Sequence, residues 1–373
     1  MSEDQHASDF ARALDAAKLG TFGRARKLFE RAALAGNKQA EVELGIIALE
    51  GLAGDVDVLA ATEHFDRGAR MDSSEAHYWL ALLALSDPEP RLPGAFFQHL
   101  AQAVHGGNAR ALCALGINTG SAAALAKASA AGDKLSAELL KPLKGTVSFA
   151  PDNLIGELEQ KLARAPALPE PTLGKPARML DGVLSALQAN YLTFAARPNL
   201  QPALVRDPKG GPPVQLAFRT NRATVIPANH GNLAVRLIER TLIQPTLIQS
   251  NSVGASGIGL LHAEDLGLLH YGVGQEYKPH RDYLHDSNLI GPNTPGQRVR
   301  TIFCYLNEVE LGGETEFPHW NQRISPKLGR IVVFDNVKDG KVDPDSVHAG
   351  LPVLAGEKWL ATFWLRERPV RRW

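Results

Sequence analysis

A segment of about ten residues recurs three times at nearly constant spacing in the first third of this 373-residue sequence. The copies are GNKQAEVELG at 36–45, DSSEAHYWLA at 72–81 and GGNARALCALG at 106–116. The matched residues Ala40, Ala76 and Ala111 lie 36 and 35 positions apart (76 − 40 and 111 − 76). A period near 35 residues is typical of stacked helix-turn-helix units, whose apolar faces are buried only against neighbouring units.

This repeat resembles the Sel-like branch of the tetratricopeptide repeats. A partial fourth copy, GDKLSAELL, follows at 132–140, and the whole region is rich in Ala and Leu at helical spacing. Gly20 and Gly36 are typical helix stops. We therefore predict an N-terminal α-solenoid over residues 1–145. A helical bundle without repeats remains the alternative, because three degenerate copies are close to the minimum for a repeat.

The composition changes at 165–176, where APALPEPTLGKP is rich in proline and lacks periodicity, as interdomain connections are. A chain of 373 residues also exceeds the usual size of one domain. We predict a helical segment and linker over 146–176 and a second domain over 177–373.

Short strand patterns separated by turns dominate this second domain, after two helical stretches at 185–195 and 232–242. The strand patterns lie at 266–271, 299–306, 330–334 and 358–365. They suit a double-stranded β-helix (jelly-roll), a barrel of two sheets whose mouth can hold a metal and a small cosubstrate. The predicted fold class is therefore multidomain α + β, with a solenoid before a jelly-roll and its supporting helices.

Charge and cysteine content exclude several classes of protein. Lys and Arg total 40, as do Asp and Glu, and no basic run suggests binding to nucleic acid or an anionic membrane. The two cysteines, Cys113 and Cys304, are far apart in apolar stretches, so a disulfide framework and a thiolate metal cluster are excluded. Neither a signal peptide pattern nor an apolar run of about 20 residues is present, so we expect a cytoplasmic protein.

A His-x-Asp pair lies in HYGVGQEYKPHRDY at 270–283. Because side chains alternate along a strand, His280 and Asp282 would project to one face, and His348 in DSVHAGLPV is a candidate third ligand. Two imidazoles and one carboxylate form the facial triad of non-haem Fe(II) oxygenases, which leaves positions open for a bidentate 2-oxo acid and dioxygen. A His-x-Asp pair alone is more often a surface or hydrogen-bonded pair.

The strand KWLATFWL begins ten positions after His348 and carries a mixed polar face. Alternation places Lys358, Leu360, Thr362 and Trp364 together. Such a face would suit a dicarboxylate, with the lysine pairing with its remote carboxylate, the threonine donating a hydrogen bond and the tryptophan excluding water. A lysine standing alone would instead be a solvent-exposed residue at the edge of a strand.

The last half of the chain resembles the catalytic domain of the prolyl 4-hydroxylases, both in its motifs and in the order in which they follow one another. The matching motifs are YxxGxxYxxHxD at 271–282, GGETEFP at 312–318, the 329–334 strand, HAGxPV at 348–353 and GEKW at 356–359. FRTNRATVI at 218–226 is similar to the family's Arg-Thr-Ser strand, with Asn221 where Ser is usual.

The resemblance implies that His280, Asp282 and His348 bind Fe(II) and that Lys358 binds the distal carboxylate of 2-oxoglutarate. It also implies O2 as a cosubstrate and succinate and CO2 as products, with ascorbate as an additional candidate cofactor. By the same resemblance, the residues that line the cosubstrate or form hydrogen bonds with it are Tyr271, Tyr305 and Thr362. For Tyr305, a role as a core aromatic is an equal alternative. The carboxylate of Asp282 favours hydroxylation over halogenation.

The leading hypothesis is a dioxygenase that hydroxylates a peptidyl or protein side chain, with proline as the first guess. The repeats would recruit or position the substrate. One alternative is a hydroxylase of free amino acids or small peptide-like metabolites, with repeats that bind a protein partner or mediate oligomerisation. Two others are a repeat-based adaptor with an idle oxygenase domain and a zinc hydrolase with the same three ligands, in which Lys358 would have no role.

Overall fold

A computed structural model describes residues 3–85, 94–143, 148–164, 166–204, 217–247, 258–285 and 294–373. Within these ranges a helical region precedes a region of antiparallel sheets. Residues 144–147, which span the predicted boundary between 1–145 and 146–176, and residue 165, where the proline-rich stretch begins, lie outside the described residues. The domain boundaries therefore stay predictions.

The described part of the chain begins with nine α-helices, each of which packs against the next along the sequence. They are α1 (Glu3–Lys18), α2 (Phe22–Leu34), α3 (Lys38–Glu50), α4 (Val58–Arg70), α5 (Ser74–Ala84), α6 (Gly94–His105), α7 (Ala109–Thr119), α8 (Ala122–Ala130) and α9 (Lys134–Leu140). The matched alanines occupy the third position of α3, α5 and α7 and are fully buried. These helix pairs confirm the predicted solenoid of helix-turn-helix units.

The same turn joins consecutive units. Before α3, α5, α7 and α9, an N-cap side chain accepts a hydrogen bond from the N–H of the third helical residue, at Asn37, Ser73, Asn108 and Asp133. The N–H of each N-cap residue also bonds to a carbonyl five residues back, which closes the preceding helix. The residue directly before each N-cap residue has a positive φ. Three of these four residues are glycines, and the one before Ser73 is Asp72, with φ 56°. The partial fourth copy thus has the same capped turn, followed by the short helix α9.

Three further helices connect the solenoid to the sheets: α10 (Pro151–Ala163), α11 (Ala186–Ala196) and α12 (Leu233–Leu247). The predictions at 185–195 and 232–242 are confirmed by α11 and α12. Ser185 caps α11 through a reciprocal pair of hydrogen bonds with Gln188, which fixes the start of this helix.

Fifteen strands lie in the described residues. They are β1 (Arg178–Leu180), β2 (Gln201–Pro202), β3 (Arg222–Ile226), β4 (Leu266–Tyr271), β5 (Tyr277–His280), β6 (Arg298–Tyr305), β7 (Leu311–Gly312), β8 (Thr315–Phe317), β9 (Gln322–Ile324), β10 (Ile331–Asp335), β11 (Val337–Lys338), β12 (Lys341–Val342), β13 (His348–Gly350), β14 (Val353–Ala355) and β15 (Lys358–Arg366). The four predicted strands correspond to β4, β6, β10 and β15, so these predictions are confirmed.

The strands form two main antiparallel sheets that face each other. The seven-stranded sheet has the order β1-β10-β6-β15-β4-β3-β2, and the four-stranded sheet has the order β5-β13-β8-β9. One apolar cluster contains residues of both, such as Tyr305 and Leu360 from the larger sheet and Phe317 and Ile324 from the smaller one. This two-sheet arrangement agrees with the predicted jelly-roll.

The outer face of the larger sheet packs against the helices. Trp359, Ala361 and Phe363 of β15 belong to a hydrophobic cluster that continues through α12 into α5 and α7. The hydroxyl of Tyr78 in α5 donates to the carbonyl of Gly231 (2.6 Å) and accepts from the N–H of Leu233 (2.9 Å). The repeats are therefore bound directly to the helix that supports the sheet. Among the described helices, none is both long and apolar enough to span a membrane.

Candidate metal and cosubstrate site

Three potential metal ligands meet at one end of the smaller sheet. His280 ends β5, Asp282 follows two residues later, and His348 begins β13 directly opposite His280 in the strand register. One ligand atom from each residue lies within 4.8 Å of the others. The Nε2 atoms of His280 and His348 lie 3.9 and 3.7 Å from the carboxylate oxygens of Asp282. The structure thus brings together the three residues that the sequence singles out.

Hydrogen bonds orient both imidazoles. Nδ1 of His280 lies 2.8 Å from the carbonyl oxygen of Lys278, and Nδ1 of His348 lies 3.1 Å from that of Ser346. A carbonyl can only accept, so each Nδ1 carries the proton and donates. In a neutral ring with this tautomer, the lone pair of Nε2 is directed toward Asp282, as a metal-binding histidine requires.

The protonation states also suit a divalent cation. Burial, reinforced by the neighbouring His348, lowers the pKa of His280 to about 3, which keeps its ring neutral. Burial opposes ionisation of Asp282, but His348, His280 and Arg298 hold the pKa of its carboxyl below the ordinary value. Metal ligands must be deprotonated, so the neutral ring of His280 and the ionised carboxyl of Asp282 are ready for a metal such as Fe(II).

A polar network that the sequence analysis missed supports Asp282. Thr301 donates to its carboxylate (2.8 Å), and the amide of Asn336 donates to the Thr301 hydroxyl (2.9 Å). Arg298 donates to the Asp282 backbone carbonyl (3.3 Å) and forms two hydrogen bonds with Glu264 (2.8 and 2.7 Å). Thr301 is buried on the face of β6 that it shares with Phe303 and Tyr305, so a threonine beside two aromatic residues on one strand face was the available signal.

Aromatic rings enclose the two histidines. Tyr277 stacks on His280 with ring centroids 3.4 Å apart, and Phe317 and Phe334 lie 5.5 and 4.8 Å from the ring of His348. The guanidinium of Arg219 lies 4.8 Å from the Tyr277 ring centroid. The apolar wall restricts water around the histidines, which strengthens electrostatic interactions there.

Lys358 is a fully buried cation deeper in the barrel. Its Nζ donates to the carbonyl of Gly313 (2.7 Å) and lies 4.8 Å from the ring centroid of Tyr271. No carboxylate among the described residues forms an ion pair with it, and burial lowers its pKa to about 7. A buried ammonium group without a counterion suits the carboxylate of a ligand.

Two predicted tyrosines lie beside Lys358. Tyr271 is its direct partner on β4, and Tyr305 is the partner of Leu360 on β6. The Lys358 Nζ lies 5.9 Å from the Tyr305 ring centroid. The Tyr305 hydroxyl donates to the carbonyl of Ile324 (3.1 Å) and lies 2.8 Å from the hydroxyl of Thr315. Tyr305 therefore already has polar partners inside the barrel, whereas no hydrogen bond of the Tyr271 hydroxyl occurs within the described residues.

Thr362 and Trp364 continue the same face of β15. Thr362 is buried beside Gly267 of β4, and its hydroxyl lies 3.5 Å from the carbonyl of Ile302. Trp364 is the partner of Thr301 on β6, and Arg298 stacks on its ring at 4.0 Å. Trp364 thus lies closer to the support of Asp282 than to Lys358 along the strand. The roles of both residues stay predictions.

Comparison with known proteins identifies the family. Residues 266–366 match the model of the 2OG-Fe(II) oxygenase superfamily. The chain is 32% identical over 210 residues to probable prolyl 4-hydroxylase 10 of Arabidopsis thaliana, covering 51% of this chain and 68% of that protein. It spans between 63% and 68% of the length of this and four further Arabidopsis prolyl 4-hydroxylases.

Two solved structures are similar to separate parts of the chain. A viral collagen prolyl hydroxylase from Paramecium Bursaria Chlorella virus-1, in complex with 2OG, is 28% identical with a TM-score of 0.39, covering 52% of this chain and 97% of that one. A Sel1 repeat protein from Oxalobacter formigenes is 15% identical with a TM-score of 0.32, covering 44% and 76%. On the identity and coverage of the Arabidopsis relative, this chain belongs to the prolyl 4-hydroxylase family of enzymes, whose cofactors are iron(II) and 2-oxoglutarate.

Proposed function

We propose that this enzyme hydroxylates proline side chains in a peptide or protein, converting 2-oxoglutarate and O2 into succinate and CO2. The observation that carries the proposal is that one barrel contains both a His280–Asp282–His348 triad and the buried cation Lys358, which forms no ion pair with the described residues. One oxygen atom of O2 enters the product hydroxyl and the other enters succinate, so the reaction balances without another reductant.

His280, Asp282 and His348 would hold Fe(II), which supplies the redox chemistry of oxygen activation when bound. Three protein ligands leave positions free for the 2-oxo acid and O2. The backbone carbonyls at Lys278 and Ser346 fix the two imidazole rings. Thr301 restrains one oxygen of Asp282 and so limits how this carboxylate can rotate.

Lys358 would bind the distal carboxylate of 2-oxoglutarate in a charge-assisted hydrogen bond. Tyr271, which has no hydrogen-bond partner in the described structure, would donate a second hydrogen bond from the neighbouring strand. Thr362 would line the cosubstrate, Trp364 would exclude water, and Tyr305 would shape the pocket with its ring. The bound carboxylate would in turn stabilise the folded protein, because it neutralises a cation that is costly to bury alone.

Proline is proposed as the target because the Arabidopsis relatives are named prolyl 4-hydroxylases. Hydroxylation of a free amino acid or small peptide-like metabolite is the alternative within this class. A zinc hydrolase would make no use of Lys358, and an idle adaptor would not need a complete triad.

We also propose that the chain divides into a repeat domain at 1–145, a helical segment and linker at 146–176 and an oxygenase domain at 177–373. The repeats would bind a protein partner or mediate oligomerisation. A cytoplasmic location and use of ascorbate belong to the same proposal.

The test is succinate formation by the purified full-length protein with Fe(II), 2-oxoglutarate and O2. Proline-containing peptides, the same peptides with alanine in place of proline, and free amino acids are compared. We expect succinate and a gain of one oxygen only with the proline peptides, and no product with Asp282→Ala. Succinate formation with free amino acids alone would support a hydroxylase of free amino acids. If iron-replete protein forms no succinate with any of these substrates, the repeat-based adaptor is supported instead.

A further inference from the structure

A buried asparagine, Asn336, lies behind the candidate metal ligands. It follows β10 directly in the chain and is fully buried. Its side-chain amide donates to the hydroxyl of Thr301 (2.9 Å), and that hydroxyl donates in turn to the carboxylate of Asp282 (2.8 Å). Within the described residues, the Asn336 side chain thus reaches a metal ligand only through Thr301.

The direction of both hydrogen bonds follows from the number of protons available. The hydroxyl of Thr301 has one proton, and an ionised carboxylate can only accept. That proton is used on Asp282, so the Thr301 oxygen must accept from its other neighbour. The amide nitrogen of Asn336 can only donate, and it therefore keeps the Thr301 hydroxyl from turning its proton away from Asp282.

The backbone holds Asn336 in place on both sides. Its N–H donates to the carbonyl of Val299 in β6 (2.8 Å), and its carbonyl accepts from the N–H of Asp343 (2.9 Å). The carbonyl of Asp343 accepts from the hydroxyl of Ser346 (2.7 Å), and the carbonyl of Ser346 lies 3.1 Å from Nδ1 of His348. Asn336 is thus fixed between the strand that carries Thr301 and the segment that leads to His348.

Stability alone does not account for an asparagine at this position. Its side-chain oxygen, Oδ1, is buried without a hydrogen-bond partner among the described residues. Burying an unsatisfied polar atom is unfavourable, and an apolar side chain of similar size would avoid that cost. The hydrogen bond to Thr301 offsets the cost only in part, because the net stabilisation by one hydrogen bond is small.

We propose that Asn336 is a positioning residue for the iron centre. Its amide fixes the Thr301 hydroxyl as a donor to Asp282 and so restricts rotation of this carboxylate. Losing a hydrogen-bonding partner behind a metal ligand typically weakens metal binding by about 10–100-fold. The inference rests on the proposed function, because it concerns the same metal ligands, and it extends the support of Asp282 by one residue beyond Thr301.

Anaerobic equilibrium dialysis of the full-length protein against Fe(II) tests the role of the amide. We expect Asn336→Leu, which keeps the approximate size of the side chain, to weaken Fe(II) binding by about tenfold. Because Thr301→Val already removes the hydroxyl, adding Asn336→Leu to it should change the Fe(II) affinity by less than about twofold. Gln322→Leu is the matched control, since Gln322 also has a buried side-chain oxygen without a partner, and it should bind Fe(II) as the wild type does.

The melting temperature of the metal-free protein separates positioning from a structural role. Metal-free Asn336→Leu should melt at the wild-type temperature or above it, because the unsatisfied oxygen is gone. An unfolded or less stable variant, an unchanged Fe(II) affinity, an equal loss in Gln322→Leu or additive losses in the double variant would overturn the proposal. Absence of Fe(II) binding by the wild type would instead refute the iron site itself, and this inference with it.

Discussion

Binding of 2-oxoglutarate should depend on the protonation of Lys358, because burial lowers the pKa of this ammonium to about 7 in the ligand-free protein. Only the charged form can pair with a carboxylate, and the bound carboxylate raises the pKa again. Above pH 7 the enzyme must therefore take up a proton to bind. The apparent Kd scales as 1 + 10^(pH − 7), which is about 1.1 at pH 6 and about 11 at pH 8. We expect about tenfold weaker binding at pH 8 than at pH 6.

The Kd and the number of protons taken up can both be measured by calorimetric titration of the Fe(II) protein with 2-oxoglutarate. The titration is done without oxygen and in buffers of different ionisation enthalpy. At pH 8 it should report an uptake of about 0.9 proton per 2-oxoglutarate bound, given the pKa of about 7. Lys358→Arg is the matched control, because a guanidinium stays charged and should give a flat pH profile without proton uptake. A Kd that is the same at pH 6 and pH 8 in the wild type would refute the reasoning.

The stability of the ligand-free protein offers a second check on the same residue. Lowering the pKa from 10.5 to about 7 means that burial destabilises the charged ammonium relative to the neutral amine by at most roughly 5 kcal/mol. The unfolded chain then binds more protons than the folded one between pH 7 and 10.5, so the free energy of unfolding should rise with pH across that window. Lys358→Met should flatten this rise in chemical denaturation and stabilise the protein at pH 6, while abolishing cosubstrate binding.

Three further substitutions test separate parts of the structure. Thr301→Val removes the hydrogen bond to Asp282 and should lower Fe(II) affinity by about 10–100-fold in equilibrium dialysis, with unchanged affinity as the contrary result. Tyr78→Phe leaves two backbone groups near Gly231 without their partner and should cost about 1–3 kcal/mol in urea denaturation, whereas no loss would mean that water replaces the hydroxyl. Asp72→Gly should stabilise the fold by up to about 1 kcal/mol, because glycine adopts φ 56° without strain; destabilisation would indicate that the Asp72 side chain has a structural role.

The sequence predicts those parts of the fold in which a periodic pattern is long enough to read. In β15, alternation over nine residues separates the Lys358 face from the Trp359 face, and both lie where the pattern places them. The solenoid was readable because the same capped turn recurs in each unit. By contrast, β8 and β9 have three residues each, which is too short for any periodicity to be detected.

Long-range partners could not be read in this way. His280 and His348 were chosen by residue type and motif, but their direct pairing depends on the register of two strands that are distant in sequence. Thr301 carries no local sign that it contacts Asp282, because a threonine is an ordinary strand residue. The contact between Tyr78 and Gly231 joins residues 153 positions apart and has no local signal.

The proposed activity requires the His280–Asp282–His348 triad and Lys358 to act together in oxygenating a peptidyl proline. The most direct test is the reaction under ¹⁸O2 with a proline peptide, followed by mass spectrometry of the peptide and of succinate. We predict one ¹⁸O atom in the proline ring and one in succinate, and neither product with Asp282→Ala. Succinate without labelled peptide, or full peptide labelling by the Asp282→Ala variant, would contradict the account.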